Sequence, residues 1–156
     1  MFRLADRRPP AAILNDMPKG EKIKMADLTI RPFLMFEGQA EAAMNFYVSL
    51  FPGAEVLGIL RYGPSGPGVE GSVIKATFRI GSQSVICIDS SVKHNFSFTP
   101  AFSFFVDCDS EDEIDRLYSA LLEGGTALMP IGNYGFSQKF GWVNDRYGVS
   151  WQLNLI

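Results

Sequence analysis

The stretch AFSFFVDCDSEDEIDRLYSALLEGGTALMP, residues 101–130, decides the fold that we predict. Its first eight residues are rich in aromatic and β-branched side chains, which is typical of a strand. Ser110 and Glu113 then form a capping box, in which side chains satisfy free amide donors at the start of a helix. The helix has one apolar stripe and stops at Gly124 and Gly125, where the next strand begins. The stretch therefore predicts a strand, a helix and a strand, in that order.

Two more strands follow and complete a βαβββ unit. We predict these strands at 134–144 and 148–156, as a closing hairpin after the strand at 126–132. Pro130 lacks a backbone N–H, so it places its strand at a sheet edge or at a bulge.

The first half of the chain repeats this order of elements. The predicted elements are a helix at 39–51 and strands at 28–36, 54–62, 72–80 and 83–90. Each half then has one helix, which covers one face of a four-stranded sheet, and the other face must be buried elsewhere. We therefore predict an α+β fold of tandem βαβββ modules, about 27–91 and 99–156, whose two sheets enclose a cleft, as in a cleft barrel.

Residues 1–26 differ from the rest of the chain, because they are basic, contain prolines and show no clear hydrophobic period. They also lack the long apolar segment of a secretory signal. We interpret them as an N-terminal extension, either flexible or cloning-derived, with a short docking arm as the alternative. The single domain then spans residues 27–156.

The composition excludes several classes of partner. Of the 156 residues, 47% are hydrophobic and 20% are charged, and no run of 18 apolar residues occurs, so we expect no membrane span. The net charge of −3 argues against a general nucleic-acid binder. Cys87 and Cys108 lie in strand-like runs without a CxxC spacing. We interpret them as buried free thiols of a cytoplasmic protein.

Three stretches carry a resemblance to a known family: FLMFEGQAEAAMNFYVSLFPGAEV (33–56), FTPAFSFFVDCDSEDEIDRLYSALLEGG (98–125) and FGWVNDRYGVSWQLNL (140–155). They resemble the PhnB-like subfamily of the vicinal oxygen chelate superfamily, also called the glyoxalase/bleomycin-resistance/dioxygenase superfamily. Members of this subfamily are often labelled 3-demethylubiquinone-9 3-methyltransferase. The resemblance covers about residues 28–156 and implies a tandem βαβββ fold with a small-molecule cleft. It also implies a homodimer, which would protect open sheet edges.

We do not expect the methyltransferase activity in that label. A methyltransferase that uses S-adenosylmethionine usually has a Rossmann-like parallel sheet and a glycine-rich turn after its first strand. In this chain the first strand leads to EGQAEAA, residues 37–43, which has one glycine and no GxG. The predicted hairpins also argue against a parallel sheet.

Metal-dependent members of the superfamily place ligands on four strands. By pattern, the matching positions here are Arg31 or Pro32, Asp89, Ala101 and Gln152. Asp89 is the one good anionic ligand among them, and Gln152 is a weak neutral oxygen donor. The chain has a single histidine, His94, so a site of two histidines and one carboxylate is impossible. We expect no tightly bound metal or other cofactor; a weakly bound divalent ion is the alternative.

The polar candidates for a site each allow two interpretations. Asp89 is a candidate catalytic base, or a strand-end aspartate satisfied by the amides of the next loop. Cys87, two residues earlier on the same strand, shares its face and is a candidate substrate-binding residue if that face is the cleft. Gln152 is a hydrogen-bonding group for a substrate, or a polar residue that merely faces the cavity. Lys75 binds an anionic substrate, or is solvated.

The last hairpin carries the aromatic candidates. Phe136, Phe140 and Trp142 either pack in the core or form the wall of a binding pocket. His94 is either an ordinary loop residue or an acid–base group at the mouth of the cleft.

Three functions remain open. The first is a protein that binds an unidentified small molecule in its cleft, without a tightly bound metal. The second is a lyase or isomerase assisted by a metal or by a carboxylate, for which Asp89 is the discriminating residue. The third is a structural or partner-binding module whose cleft is filled by its own side chains.

Overall fold

A computed structural model describes residues 28–156, of which Arg31–Ile156 form one compact unit. The predicted extension, residues 1–26, lies outside the described residues. The elements are β1 (Phe33–Phe36), α1 (Ala40–Leu50), β2 (Glu55–Arg61), β3 (Val73–Ile80), β4 (Gln83–Asp89), β5 (Phe104–Cys108), α2 (Glu111–Leu122), β6 (Thr126–Gly132), β7 (Phe140–Asn144) and β8 (Ser150–Leu155). The prediction of an α+β fold with tandem βαβββ modules is confirmed.

Each module forms one four-stranded sheet, and the two sheets have the same strand order. The first is β1-β4-β3-β2 and the second is β5-β8-β7-β6. The pairs β1–β4 and β5–β8, which join the first and last strands of each module along the chain, are parallel. The other pairs are antiparallel. Within residues 28–156 the strands therefore form two open sheets that are not closed into the predicted barrel, and β1, β2, β5 and β6 lie at the sheet edges.

One helix covers one face of each sheet. Below α1, the ring of Tyr47 stacks on Phe78 of β3 at a centroid distance of 6.2 Å. Below α2, Gly141 of β7 leaves room for Tyr118, because a Cβ at this glycine would lie 2.6 Å from that ring. We call this side of each sheet its helix face and the opposite side its open face.

The two modules pack against each other through aromatic side chains and one carboxylate. Trp151 of β8 is fully buried and lies 5.1 Å from Tyr47 and 5.8 Å from Phe51, measured between ring centroids. Asp145 accepts hydrogen bonds from the hydroxyl of Tyr47 at 2.6 Å and from the indole N–H of Trp151 at 2.9 Å. The Asn-Asp turn before β8 therefore joins the modules.

The ends of the elements follow the local signals. Ser110 accepts the N–H of Glu113, and the Glu113 carboxylate accepts the N–H of Asp109, so the predicted cap is present. Pro130 lies in the edge strand β6, whose register with β7 shifts twice around it, so an edge and an irregularity occur together.

Three predicted strands were too long, because β1, β5 and β7 begin only at Phe33, Phe104 and Phe140. The residues before β7 form a loop in which Gly135 has a φ of 88°.

Candidate functional site

The open face of the second sheet carries a row of four side chains, one from each strand. Cross-strand pairing places Phe105 opposite Gln152, Gln152 opposite Trp142, and Trp142 opposite Met129. Gln152 therefore lies in the middle of the sheet between two aromatic side chains, where its amide can both donate and accept hydrogen bonds. Two of the sequence-predicted site residues, Gln152 and Trp142, are thus direct neighbours.

Four aromatic rings form a second group on this face, which we call the aromatic patch: Phe105, Tyr134, Phe136 and Phe140. The ring of Phe140 lies 5.0 Å from Phe136, 6.2 Å from Tyr134 and 6.3 Å from Phe105. Phe140 is buried below the others, whereas Phe136 is 68% and Phe105 57% exposed. The patch therefore presents flat apolar surface beside Gln152.

The loop that carries two of these rings is held by polar contacts on both sides. The hydroxyl of Tyr134 donates to the Pro130 carbonyl oxygen at 2.5 Å. At the other end of the loop, the ammonium of Lys139 lies 2.7 Å from the Asp115 carboxylate of α2, which raises the pKa of Lys139 through a hydrogen bond. These contacts set the position of Tyr134 and Phe136 over the open face.

A chain of hydroxyl groups fixes the indole of Trp142. Its N–H donates to the Ser150 hydroxyl at 2.8 Å, and that hydroxyl lies 2.6 Å from the hydroxyl of Ser103. Ser150 is buried. The ring plane of Trp142 is therefore held next to Gln152, which suits a wall of a binding site.

Lys75 lies on the open face of the first sheet, not on that of the second. It is exposed and pairs across β2 and β3 with Leu60. The residues that share this open face are largely apolar: Phe33, Met35, Leu60, Thr77, Ile86 and Ile88. Within one chain Lys75 therefore belongs to a different surface from Gln152.

Asp89 lies on the helix face of the first sheet, at the start of α1. One carboxylate oxygen accepts the N–H groups of Gly38 at 2.8 Å and Ala40 at 2.9 Å, and the other accepts the N–H of Val73 at 2.9 Å. The side chain is buried. This geometry matches the amide-satisfied interpretation of Asp89, because its lone pairs are engaged by the protein's own backbone.

Cys87 also points to the helix face, with its sulfur 3.9 Å from the Ala40 carbonyl oxygen. Burial, together with the nearby Asp89 carboxylate, raises the pKa of the Cys87 thiol to about 12. Burial likewise raises the pKa of the Cys108 thiol to about 11. Both cysteines are free and buried, so at neutral pH they are neutral apolar side chains.

The donor set of the open faces does not fit a resident divalent metal. The parallel strand pairs place Phe33, Ile86, Phe105 and Gln152 at matching open-face positions, so one weak oxygen donor stands among three apolar side chains. Among residues 28–156, no group of three or more His, Cys, Asp or Glu side chains is close enough to hold a metal ion.

Two cavities among the described residues lie beside the row that contains Gln152 rather than over it. A cavity of about 340 Å³ runs along β5 and is lined by Phe51, Phe104, Phe105 and Trp151 together with the β3–β4 turn. Gln152, Trp142 and Phe140 do not line it. Within residues 28–156, the row that contains Gln152 is therefore not part of this cavity.

His94 lines a different cavity, of about 260 Å³, at the end of β1. Its Nε2 atom lies 2.9 Å from the Ser90 hydroxyl, and its ring lies 4.9 Å from that of Phe96. The backbone N–H of His94 donates to Glu37 at 3.0 Å. The imidazole therefore lies by the end of β1 in the first module and is not part of the row that contains Gln152.

Sequence reasoning did not single out Phe105 and Tyr134 as candidate site residues, although both lie on or over this open face. The alternation of β5 contained the signal for Phe105, since residues 105 and 107 must point away from the helix if Cys108 points toward it. Tyr134 gave no such signal, because it reaches the face through a loop.

Residues 28–154 match the family model for 3-demethylubiquinone-9 3-methyltransferase. The chain belongs to this family. The solved PhnB protein of Bacillus cereus is 57% identical, with a TM-score of 0.81, and the match covers 83% of this chain and 100% of that one. Protein YjdN of Escherichia coli strain K12 is 24% identical over 143 residues, which are 83% of this chain and 96% of YjdN. The family-model match confirms the predicted family label, and the PhnB-like subfamily is consistent with it.

The wider fold is that of the glyoxalase-like superfamily. The solved lactoylglutathione lyase of Agrobacterium tumefaciens is 16% identical with a TM-score of 0.51, and the match covers 85% of this chain and 96% of that one. At this identity the likeness concerns the fold alone. Neither helix in residues 28–156 has the length and apolar character needed to span a bilayer.

Proposed function

We propose that this protein binds a small, flat, largely apolar molecule on the open face of its second sheet, without a tightly bound metal. The observation that carries the proposal is the aromatic patch beside Gln152. Phe136 and Phe105 expose 68% and 57% of their surface, although aromatic side chains of this size normally contribute to a core or an interface. An apolar surface with a few fixed polar groups is the usual composition of a small-molecule site.

The rigidity of the patch also supports binding. Trp142 is held by the Ser150 hydroxyl, and the loop with Tyr134 is tied to β6 and α2. A site whose walls are ordered before binding loses less entropy when the ligand arrives.

A homodimer would turn the open faces into a cleft. Phe33 and Leu60 of the first sheet are 56% and 59% exposed, so each sheet has apolar surface that one chain leaves uncovered. In this arrangement the open face of one sheet would be covered by that of a second copy, and Lys75 would then lie at the rim of the ligand cleft. Size-exclusion chromatography with light scattering tests the dimer, and a monomer at micromolar concentration contradicts it.

Methyl transfer and acid–base catalysis have less support. The described sheets are mixed and separate, unlike the parallel sheet that usually holds S-adenosylmethionine. The alternative lyase or isomerase needs a proton acceptor on the ligand face, whereas Asp89 is occupied by three backbone amides on the helix face. Both free thiols are buried, which suits a cytoplasmic protein.

Binding of neutral bicyclic aromatic compounds such as 2-naphthol, indole and quinoline tests the proposal. In equilibrium dialysis, the wild-type protein should bind at least one of them saturably, and Phe136→Ala should weaken this binding about fivefold or more, because a stacked ring contributes about 1 kcal/mol. Phe96→Ala is the matched control, since Phe96 is 66% exposed but lies on the loop before β5. Equal loss in both variants, or no saturable binding by the wild type, contradicts the proposal.

A further inference from the structure

An exposed carboxylate lies beside the aromatic patch. Asp107 follows Phe105 by two residues on β5, and both are exposed. Alternate residues of a strand share a face, so the two side chains stand on the open face of the second sheet about 7 Å apart. Asp107 pairs across the sheet with Asn154, and Asn154 pairs with Phe140, whose ring lies at the centre of the patch. The charge is therefore one row away from the row that contains Gln152.

The Asp107 carboxylate is held in place but is not neutralised. Its Oδ1 atom accepts a hydrogen bond from the Asn154 amide at 2.8 Å, which fixes the carboxylate on the β8 side. Within residues 28–156, no basic side chain forms an ion pair with it. Lys139, the residue before Phe140, reaches to the helix side instead, where its ammonium lies 2.7 Å from Asp115 of α2. The charge of Asp107 is therefore available to a ligand.

Enclosed space lies next to this carboxylate. Both Phe105 and Asp107 line the cavity of about 340 Å³ that runs along β5. The other lining residues are either aromatic and apolar or belong to the uncharged β3–β4 turn, such as Ser82 and Gln83. Among the residues that line this cavity, Asp107 is thus the one with a formal charge.

The ring next to Asp107 suits a positive group as well as an apolar one. The face of an aromatic ring is partially negative, so it attracts a cation within about 6 Å of its centre. Phe105 is 57% exposed, and its ring lies 6.3 Å from that of Phe140. A single carboxylate beside rings is a poor ligand set for a metal ion, which needs several donors, but it suits an ammonium group. The net charge of −3 also favours a cation over an anion.

We infer that the ligand is an organic cation, in which a flat apolar group carries an ammonium nitrogen. This inference rests on the proposed function, because the aromatic patch must hold the uncharged part. That part lies over the row that contains Gln152. The nitrogen lies beyond the β5 end of this row, at the cavity, where it contacts the Asp107 carboxylate and the Phe105 ring together.

The expected preference for a cation is modest, because Asp107 is exposed. An ion pair and a cation–ring contact are each weak at an exposed site, so together they should give about a fivefold preference over a neutral ligand of the same shape. Dissolved salt screens such a charge, so the preference should fall toward one as sodium chloride is raised to about 1 M.

The experiment compares probes of similar shape by equilibrium dialysis at neutral pH: 2-naphthylmethylamine, which is cationic, 2-naphthylmethanol, which is neutral, and 2-naphthoate, which is anionic. The wild type should bind the amine about fivefold more tightly than the alcohol and should bind the naphthoate most weakly. Asp107→Asn should weaken binding of the amine about threefold and leave that of the alcohol unchanged. Phe105→Leu removes the ring but keeps apolar bulk, so it should weaken binding of the amine more than that of the alcohol.

Glu70→Gln is the matched control. It also removes one negative charge, but from the exposed loop between β2 and β3, so it should bind all three probes like the wild type. Asp107→Asn and Glu70→Gln give the chain the same net charge, so a difference between them reports the position of the charge.

The outcomes separate the two proposals. Equal affinity of the wild type for the amine and the alcohol overturns the cation inference and leaves the aromatic site intact. A preference for the amine that Asp107→Asn keeps in full, or that Glu70→Gln loses to the same extent, also overturns it. Failure of every probe to bind saturably overturns the aromatic site, and the inference with it.

Discussion

Replacing Asp145 with asparagine tests the contact that joins the two modules. The carboxylate is buried and accepts four hydrogen bonds. One oxygen accepts the backbone N–H groups of Tyr147 at 2.8 Å and Val149 at 3.0 Å. The other accepts the Tyr47 hydroxyl at 2.6 Å and the Trp151 indole N–H at 2.9 Å. Asparagine has the same shape but one acceptor oxygen fewer.

The expected loss of stability follows from this donor count. Burial and the Asp145 charge raise the pKa of Tyr47, so its hydroxyl keeps its proton and can rotate to accept a bond from the new amide. The Trp151 N–H cannot rotate, so it loses its acceptor and faces an NH2 group. An unpaired buried donor costs about 1–3 kcal/mol, and the loss of charge-assisted bonds adds about 1–2 kcal/mol. Asp145→Asn should therefore lower the free energy of unfolding by about 2–5 kcal/mol.

Urea denaturation followed by circular dichroism measures this change. In thermal unfolding followed by the same signal, we expect a melting temperature roughly 6–15 °C lower than that of the wild type for a domain of this size. Asp107→Asn is the control, because Asp107 is exposed and accepts a single side-chain bond, from Asn154. In a double-mutant cycle, Tyr47→Phe should cost less in the Asp145→Asn background than alone. A loss below about 0.5 kcal/mol, or strict additivity with Tyr47→Phe, refutes the reasoning.

Three further substitutions or reactions test other parts of the structure. Asp89→Asn should lower the free energy of unfolding in urea by about 1–3 kcal/mol, since an amide cannot accept all three backbone N–H groups. It should leave probe binding unchanged. Lost binding without lost stability would indicate that Asp89 contacts the ligand directly. Gly141→Ala should destabilise the protein by about 1–3 kcal/mol, because the new Cβ meets the Tyr118 ring of α2. Gly58→Ala is the control, because its Cβ enters open space and should not destabilise the protein. Equal melting temperatures of the two variants contradict this packing. Below pH 9 the raised pKa values of Cys87 and Cys108 keep both thiols protonated, so Ellman's reagent should detect no thiol in the native protein and two after guanidinium unfolding. Because the folded pKa values are the higher ones, these thiols should also reduce stability as the pH rises from 9 toward 12; rapid labelling at pH 8 would show that they are accessible.

The fold could be predicted because local signals agreed with the global order. The Ser110 cap, the glycines after α2 and the alternation in β3 each marked an element independently. The repeat of these elements then fixed two modules. Strand starts were predicted less well, because residues before β5 and β7 have strand-like composition but no partner in the sheet. Pairing, unlike composition, depends on residues far away in the chain.

The site was only partly predictable, for a related reason. Alternation shows which residues of a strand share a face, but it does not show which face the helix covers. Asp89 and Cys87 share one face of β4, as predicted. This face is the one that α1 covers, since Cys87 contacts Ala40 of α1. Gln152 and Trp142 share the other kind of face in the second module. To decide which face the helix covers, a residue known to lie under the helix is needed. Gly141 is such a residue, because it lies directly below Tyr118 of α2.

The glutamine at position 152 is consistent with its neighbours. A glutamate there would place a charge between Phe105 and Trp142, and no second anionic or imidazole ligand stands in the same row to share a cation with it. An amide carries no charge and offers one acceptor and two donor hydrogens at the same position. The row that contains Gln152 is therefore better suited to an uncharged group than to a cation.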